Sequence, residues 1–192
     1  MAQPTQIRIF RAARELFDEN GLEGLSMRRI AGRVGITPMA IYRHYPDKDA
    51  VVNALMLDGF VAWEARVAAI AAAAPLAWVQ ALAEAYLDFA IAEPRRYEAA
   101  FLLNAGAARQ FPRDIEAGRS PALRSAIARI IEAQAGGILA ALPPVEIALH
   151  FAALTQGLVS MYRAGRFADK AQFRAAYRHA VGHCLDSFRR QP

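Results

Sequence analysis

The stretch Gly35–Val51, GITPMAIYRHYPDKDAV, gathers a hydroxyl, two phenols, an imidazole, a guanidinium and an ammonium into a chain otherwise rich in alanine and leucine. Tyr42, His44 and Lys48 can donate to phosphate oxygens. Thr37 followed by Pro38 suits the start of a helix, with threonine as cap and proline in the first turn. The free N–H groups and dipole of such a helix start attract a phosphate as well. Met39 and Ala40 would stand at its tip, presenting a thioether and a methyl. Such groups suit the binding of a polyanion.

Charge placement agrees. Between Gly24 and Lys48 the chain carries Arg28, Arg29, Arg33, Arg43 and Lys48 against Asp47 alone, so this segment holds +4 of a formal net charge of +5. A polyanion-binding face is expected there. Ser26, Arg28 and Arg29 open the preceding helix and can reach flanking phosphates, Arg28 also a base. Arg33 is expected to face solvent or to pair with an acid of the first helix. Tyr45 is expected to be a buried strut.

Other chemistry finds little support. No nucleophile elbow, phosphate loop or glycine fingerprint is present, so neither catalytic residues nor a cofactor are expected. His179 and His183 lie four apart on one helix face, a spacing that suits a metal, but no glutamate base stands between them and no metal site is expected. The single Cys184 excludes an internal disulfide and a cysteine-based zinc cluster. The apolar runs are too interrupted for a membrane span of about 20 residues. Nothing at the N-terminus resembles a signal peptide. A cytoplasmic protein without a membrane partner is expected.

The elements that must position these groups are helices, giving an all-α fold class. No stretch alternates apolar and polar residues as a half-buried strand would, and strong helix formers dominate. Helices are expected at about 5–20, closed by Asn20-Gly21, and at 27–34, capped by Ser26. Gly35 turns the chain into a third helix that ends before Pro46, and Asp47 caps a fourth that runs to about residue 73. Further helices are expected at about 76–91, 94–104, 121–142, 144–164 and 170–189, with residues 105–120 as a long loop or irregular helix. Two short helices joined by a glycine turn make a helix-turn-helix. Ala31 is small where they would touch, and Ile41 packs the second helix on the first. The domains expected are 1–50 for the helix-turn-helix and 51–192 for a helical bundle.

Arg29-Ile30-Ala31, Val34-Gly35-Ile36, Ala40-Ile41-Tyr42-Arg43-His44-Tyr45 and Lys48-Asp49 together resemble the N-terminal DNA-binding domain of the tetracycline-repressor (TetR) family. The resemblance covers Gln6 to about Leu55, including Leu16-Phe17 and Asn20-Gly21. It implies a three-helix DNA-reading domain whose contacts fall on Ser26, Arg28, Arg29, Thr37, Pro38, Met39, Ala40, Tyr42, His44 and Lys48. Double-stranded DNA is the implied partner, with a palindromic operator bound by a homodimer.

A reader of about 50 residues leaves the remaining chain for dimerisation and ligand sensing. The last helix has an apolar stripe of Phe173, Tyr177, Val181, Cys184 and Phe188, and the helix before it contributes Phe151. These six residues are expected to form a four-helix interface between two copies. Trp63, Trp78, Leu82, Tyr86, Phe89, Tyr97, Phe101, Leu154, Thr155 and Leu158 are the candidates for a pocket taking an uncharged or hydrophobic small-molecule effector. Phe60 and Trp63 are expected to point into the larger bundle, so that a ligand there tilts the fourth helix. A ligand-responsive transcriptional repressor is expected. An activator of the same fold, a helical enzyme and a protein-interaction adaptor are the alternatives.

Overall fold

A computed structural model describes residues 3–111 and 113–190. Among them it forms ten helices: α1 Thr5–Asn20, α2 Met27–Val34, α3 Pro38–Tyr42, α4 Lys48–Ala68, α5 Pro75–Ala92, α6 Pro94–Phe101, α7 Arg113–Glu116, α8 Pro121–Ala135, α9 Pro144–Arg163 and α10 Lys170–Ser187. No helix of the described residues is long and apolar enough to cross a membrane.

The N-terminal helices start and stop where side chains satisfy backbone groups. Ser26 Oγ accepts from the Arg29 N–H, Thr37 Oγ1 from that of Ala40, and Asp47 Oδ1 from that of Ala50. Each removes one orphan donor from a helix start, worth about 1 kcal/mol. Gly35 ends α2 in the left-handed conformation (φ 73°, ψ 38°), and its N–H bonds the Ala31 carbonyl. Only glycine adopts that conformation without a steric cost. α3 stops at Tyr42, earlier than expected from sequence. The N–H groups of His44 and Tyr45 both turn back onto the Ile41 carbonyl, and Pro46 disfavours helical geometry at the residue before it.

The chain divides into two compact units, one of residues 1–63 and 93–108, the other of 64–92 and 109–192. The boundary expected after residue 50 therefore lies inside the first unit. The physical reason is the core: Val51, Val52 and Leu55 of α4 and Ala99 of α6 are buried with Ile9, Leu16, Phe17, Ile30, Ala31 and Ile41. Arg96 of α6 adds ion pairs with Asp58 of α4 and its own Glu93, while Arg14 of α1 also reaches Asp58. α4 and α6 approach closely at Gly59, where a Cβ would lie 2.7 Å from the Arg96 carbonyl oxygen and 3.0 Å from Ala100.

In the second unit α5, α8, α9 and α10 pack on one another. Trp78, Phe89, Ile130, Ile147, Phe151, Val159, Phe173 and Tyr177 are buried there. α4 ends at Ala68 rather than near residue 73. The alanines that follow offer little apolar surface to pack, and propensity alone rarely sustains a helix end. α8 ends at Ala135 rather than Leu142, because Gly136 and Gly137 (φ 69°) turn the chain. Beyond the turn Leu139 forms an antiparallel bridge with Arg189, and Ala140 donates to the Phe188 carbonyl. In the loop of 105–120, Asp114 organises the short α7: it accepts from the Gln110 N–H and the Arg119 guanidinium.

Candidate nucleic-acid interface

The outward face of α3 follows from one buried side chain. Ile41 has no exposed surface. Met39 and Arg43 lie two residues to either side of it, about 200° around the helix, so they face outward together. Met39 is 72% exposed and Tyr42 48%. Thr37, Pro38, His44 and Lys48 are also exposed, while Ala40 is half-buried. Tyr45 is buried, as expected of a strut. Burial raises its phenol above the ordinary value, and a hydrogen bond with the Gln6 side chain pulls the other way.

Several donors expected to meet phosphate are already oriented within the protein. The Thr37 and Ser26 hydroxyl oxygens accept from their helix starts, which leaves each O–H hydrogen to donate outward. Lys48 Nζ donates to the Leu22 carbonyl at 3.2 Å and keeps two further hydrogens. Arg29 Nη1 donates to the Gly24 carbonyl at 2.7 Å, so its guanidinium is tethered close to the backbone.

Charge is less uniform than the count suggests. Arg33 pairs with Glu19 at 2.7 Å and with Glu15 at 3.9 Å, both on α1, as expected. Its hydrogen bond holds the Glu19 carboxyl below the usual range, and Glu19 in turn raises Arg33. Arg33 therefore adds little to the outward field. Arg8 Nη2 donates to the Val34 carbonyl at the end of α2. Among the described basic residues of this unit only Arg28 and Arg43 make neither an ion pair nor a hydrogen bond, and both are exposed. Arg43 was not among the contacts expected from sequence. Its place four residues after Met39 is the signal that could have found it.

The stripe expected to join two copies needs correction. Phe173 and Tyr177 have no exposed surface and Val181 almost none. The Phe173 ring stacks on Tyr162 at 4.3 Å, and the Tyr177 hydroxyl donates to the Ala83 carbonyl at 2.7 Å. A side chain buried within its own chain has no area left to offer another. Phe151 is buried too, while Cys184 and Phe188 are half-buried, with the Phe188 ring against His150 and Phe151. Burial raises the Cys184 thiol above its ordinary value. What α9 and α10 expose instead is a run of His150, Ala153, Gly157 and Ser160, and another of Ala175, His179 and His183. A Cβ built on Gly157 or on half-buried Gly182 would meet nothing within 4 Å.

The residues expected to line an effector pocket fall in different units. Trp63, Tyr97 and Phe101 belong to the first, where Phe101 meets the rings of Phe60, Trp63 and Tyr97 at 5.3–6.3 Å. Phe60 and Trp63 of α4 meet Phe101 of α6, which groups with the N-terminal helices. Trp78, Leu82, Tyr86, Phe89, Leu154, Thr155 and Leu158 belong to the second. Trp78 lies under the Arg129 guanidinium and Phe89 under that of Arg66. The Thr155 hydroxyl donates back to the Phe151 carbonyl of its own helix at 2.8 Å. Among the described residues no three His, Cys, Asp or Glu side chains group as metal ligands.

Known families match both the N-terminal helices and the bundle. Residues 9–55 match bacterial regulatory proteins of the tetR family, and residues 79–184 match the tetracyclin repressor-like C-terminal domain. The chain belongs to the TetR family. The HTH-type transcriptional regulator UidR of Escherichia coli (strain K12) is 45% identical over 57 residues, 30% of this chain and 29% of UidR. The HTH-type transcriptional repressor DrrR1 of Streptomyces coeruleorubidus is 47% identical over 51 residues, 27% of this chain and 18% of DrrR1. Each match spans less than a third of the relative's length. Over nearly the whole chain the fold is similar to a protein with unknown function from Rhodococcus sp. RHA1, with a TM-score of 0.79 and 25% identity, covering 98% of this chain and 97% of that one. Every candidate DNA contact from Ser26 to Lys48 lies inside the TetR N-terminal match.

Proposed function

We propose that this chain is a homodimeric, DNA-binding transcriptional repressor that leaves a palindromic operator when a small molecule binds its C-terminal unit. The observation that carries the reading is the outward face of α3. It sets apolar Met39 and the donor of Tyr42 outward, with His44 just beyond α3 and Lys48 at the start of α4, inside the stretch that matches the family. Phosphate donors fix the register and the α3 face reads bases in the major groove. The name of DrrR1 as a repressor supports repression over activation. A DNA-bound role places the protein in the cytoplasm.

Dimerisation is supported by glycine at two helix positions where a Cβ would meet nothing in the chain. Glycine within a helix costs about 0.5–1 kcal/mol relative to alanine. At Gly157 and Gly182 that cost relieves no crowding inside the protomer. It makes sense where a second backbone comes close, as between α9 and α10 of two copies. The effector reading rests on the aromatic and leucine content of the second unit, where half-buried Leu82, Leu154 and Leu158 favour an apolar ligand.

Selection of bound duplexes from a random pool tests the reading. The expected product is an inverted repeat whose half-sites lie about one helical turn, roughly 34–36 Å, apart. Recovery of no enriched sequence would refute operator binding. For the effector, a compound that raises the melting temperature should lower operator affinity by about 5- to 150-fold. A ligand that binds and leaves operator affinity unchanged would refute the switch, because a ligand with equal affinity for both states shifts nothing.

A further inference from the structure

We propose that Arg43 is a base-reading residue that selects a guanine about two base pairs from the pair met by Met39. The inference rests on the DNA-binding reading above and deepens it. Arg43 continues α3 with helical backbone angles (φ −71°, ψ −19°), so it follows Met39 by four residues on one face. Four residues span about 6 Å of helix, and successive bases of a strand are about 3.4 Å apart. With α3 lying along the groove, the two side chains address positions about two steps apart.

The state of the side chain distinguishes Arg43 from its neighbours. Arg29, Arg33 and Lys48 each spend donors inside the protein. Arg43 is exposed and makes no such bond. It lies on the Met39 face, whereas Lys48 lies beyond Pro46 at the start of α4, where phosphates of the groove wall are the natural partners. A guanidinium has five donors in a planar fork and no acceptor, so it pairs best with two adjacent acceptors. In the major groove guanine presents N7 and O6 in that arrangement. Adenine sets a donor beside its N7, and an arginine fork meets that poorly.

Duplex selection with the wild type, Arg43→Ala, Arg43→Lys and Met39→Ala separates the possibilities, with affinity on the best sequence measured across a salt series. Arg43→Ala is expected to erase a guanine preference at one position of each half-site and to lower affinity for the wild-type sequence about 5- to 150-fold. The slope of log affinity against log salt should stay unchanged, and Arg43→Lys, a point charge without the planar fork, should restore the guanine only weakly. Met39→Ala should alter a position about two base pairs away. Equal weakening on all sequences, a salt slope shallower by about 0.9 and rescue by Arg43→Lys would overturn the proposal in favour of a phosphate contact. An unchanged selected sequence would overturn it as well. A wild type that selects no sequence would instead refute the DNA-binding reading itself.

Discussion

The two units start their helices with the same devices in different proportion. In the first, side chains cap the starts of α2, α3 and α4, and a left-handed glycine sets the turn between α2 and α3. In the second, α5, α8 and α9 begin on proline, as α3 and α6 of the first also do, and α10 is capped by Asp169, whose side chain accepts from the Gln172 N–H. Caps and turns fix angles between short helices, and a helix must enter a groove about 12 Å wide at a set angle. The bundle depends on packed apolar area, which tolerates exchange of side chains when volume is kept. That contrast matches the distribution of likeness: 45–47% identity to the curated relatives is confined to 51–57 residues, while the whole chain and its structural neighbour share 25%.

The largest effect should come from the pivot of the reading face. Ile41→Ala removes a fully buried side chain and is expected to cost about 2–5 kcal/mol. Denaturant unfolding followed by a probe in the N-terminal unit would show it, together with loss of duplex binding. A variant of wild-type stability would break the claim that Ile41 orients α3. Gly59→Ala tests whether α6 belongs with this unit. A methyl there meets backbone of α6, and overpacking of that kind costs about 1–3 kcal/mol. A neutral result would show that α4 and α6 separate easily.

Next in size is the exposed face of the bundle. Gly157→Leu and Gly182→Leu should each leave the protomer folded, and even gain up to about 1 kcal/mol of helix stability. Sedimentation of the wild type should give twice the 21.0 kDa chain mass, and the variants should shift toward monomer. Variants that remain fully dimeric would move the interface elsewhere. Phe173→Glu, by contrast, should unfold the bundle, since that side chain has no exposed surface.

The smallest effect is electrostatic and belongs to the loop before α8. The Gln110 N–H, and then Arg119, hold the Asp114 carboxyl below its ordinary value of 3.8. A depressed carboxylate contributes stability above its unfolded value, and that contribution is lost as pH falls through the folded one. Asp114→Asn should melt earlier than wild type at neutral pH, and the gap should close below about pH 3.8. A gap that persists in acid would mean that shape rather than charge holds the loop.

The same contrast explains what could be read from the sequence. Ser26, Thr37 and Gly35 carry local chemistry at fixed spacing, so the helix-turn-helix was legible, as were the Arg33 pairing and buried Tyr45. The dimer stripe was not. Periodicity at Phe173, Tyr177 and Val181 reports an apolar face without saying whether the chain's own core or another copy covers it. The bridge of Leu139 with Arg189 joins residues fifty apart, and no local signal marks it. Nor does aromatic content reveal which unit a helix joins: Trp63 and Phe101 fall in the first, Trp78 and Tyr86 in the second.

The most direct test of operator recognition is a titration of the protein with the selected duplex and with an unrelated duplex of equal length, at physiological salt. The selected duplex should bind at least about 1,000-fold more tightly, and its affinity should fall steeply as salt rises. Equal affinity for the two duplexes would contradict a sequence-reading α3 and leave only a basic surface.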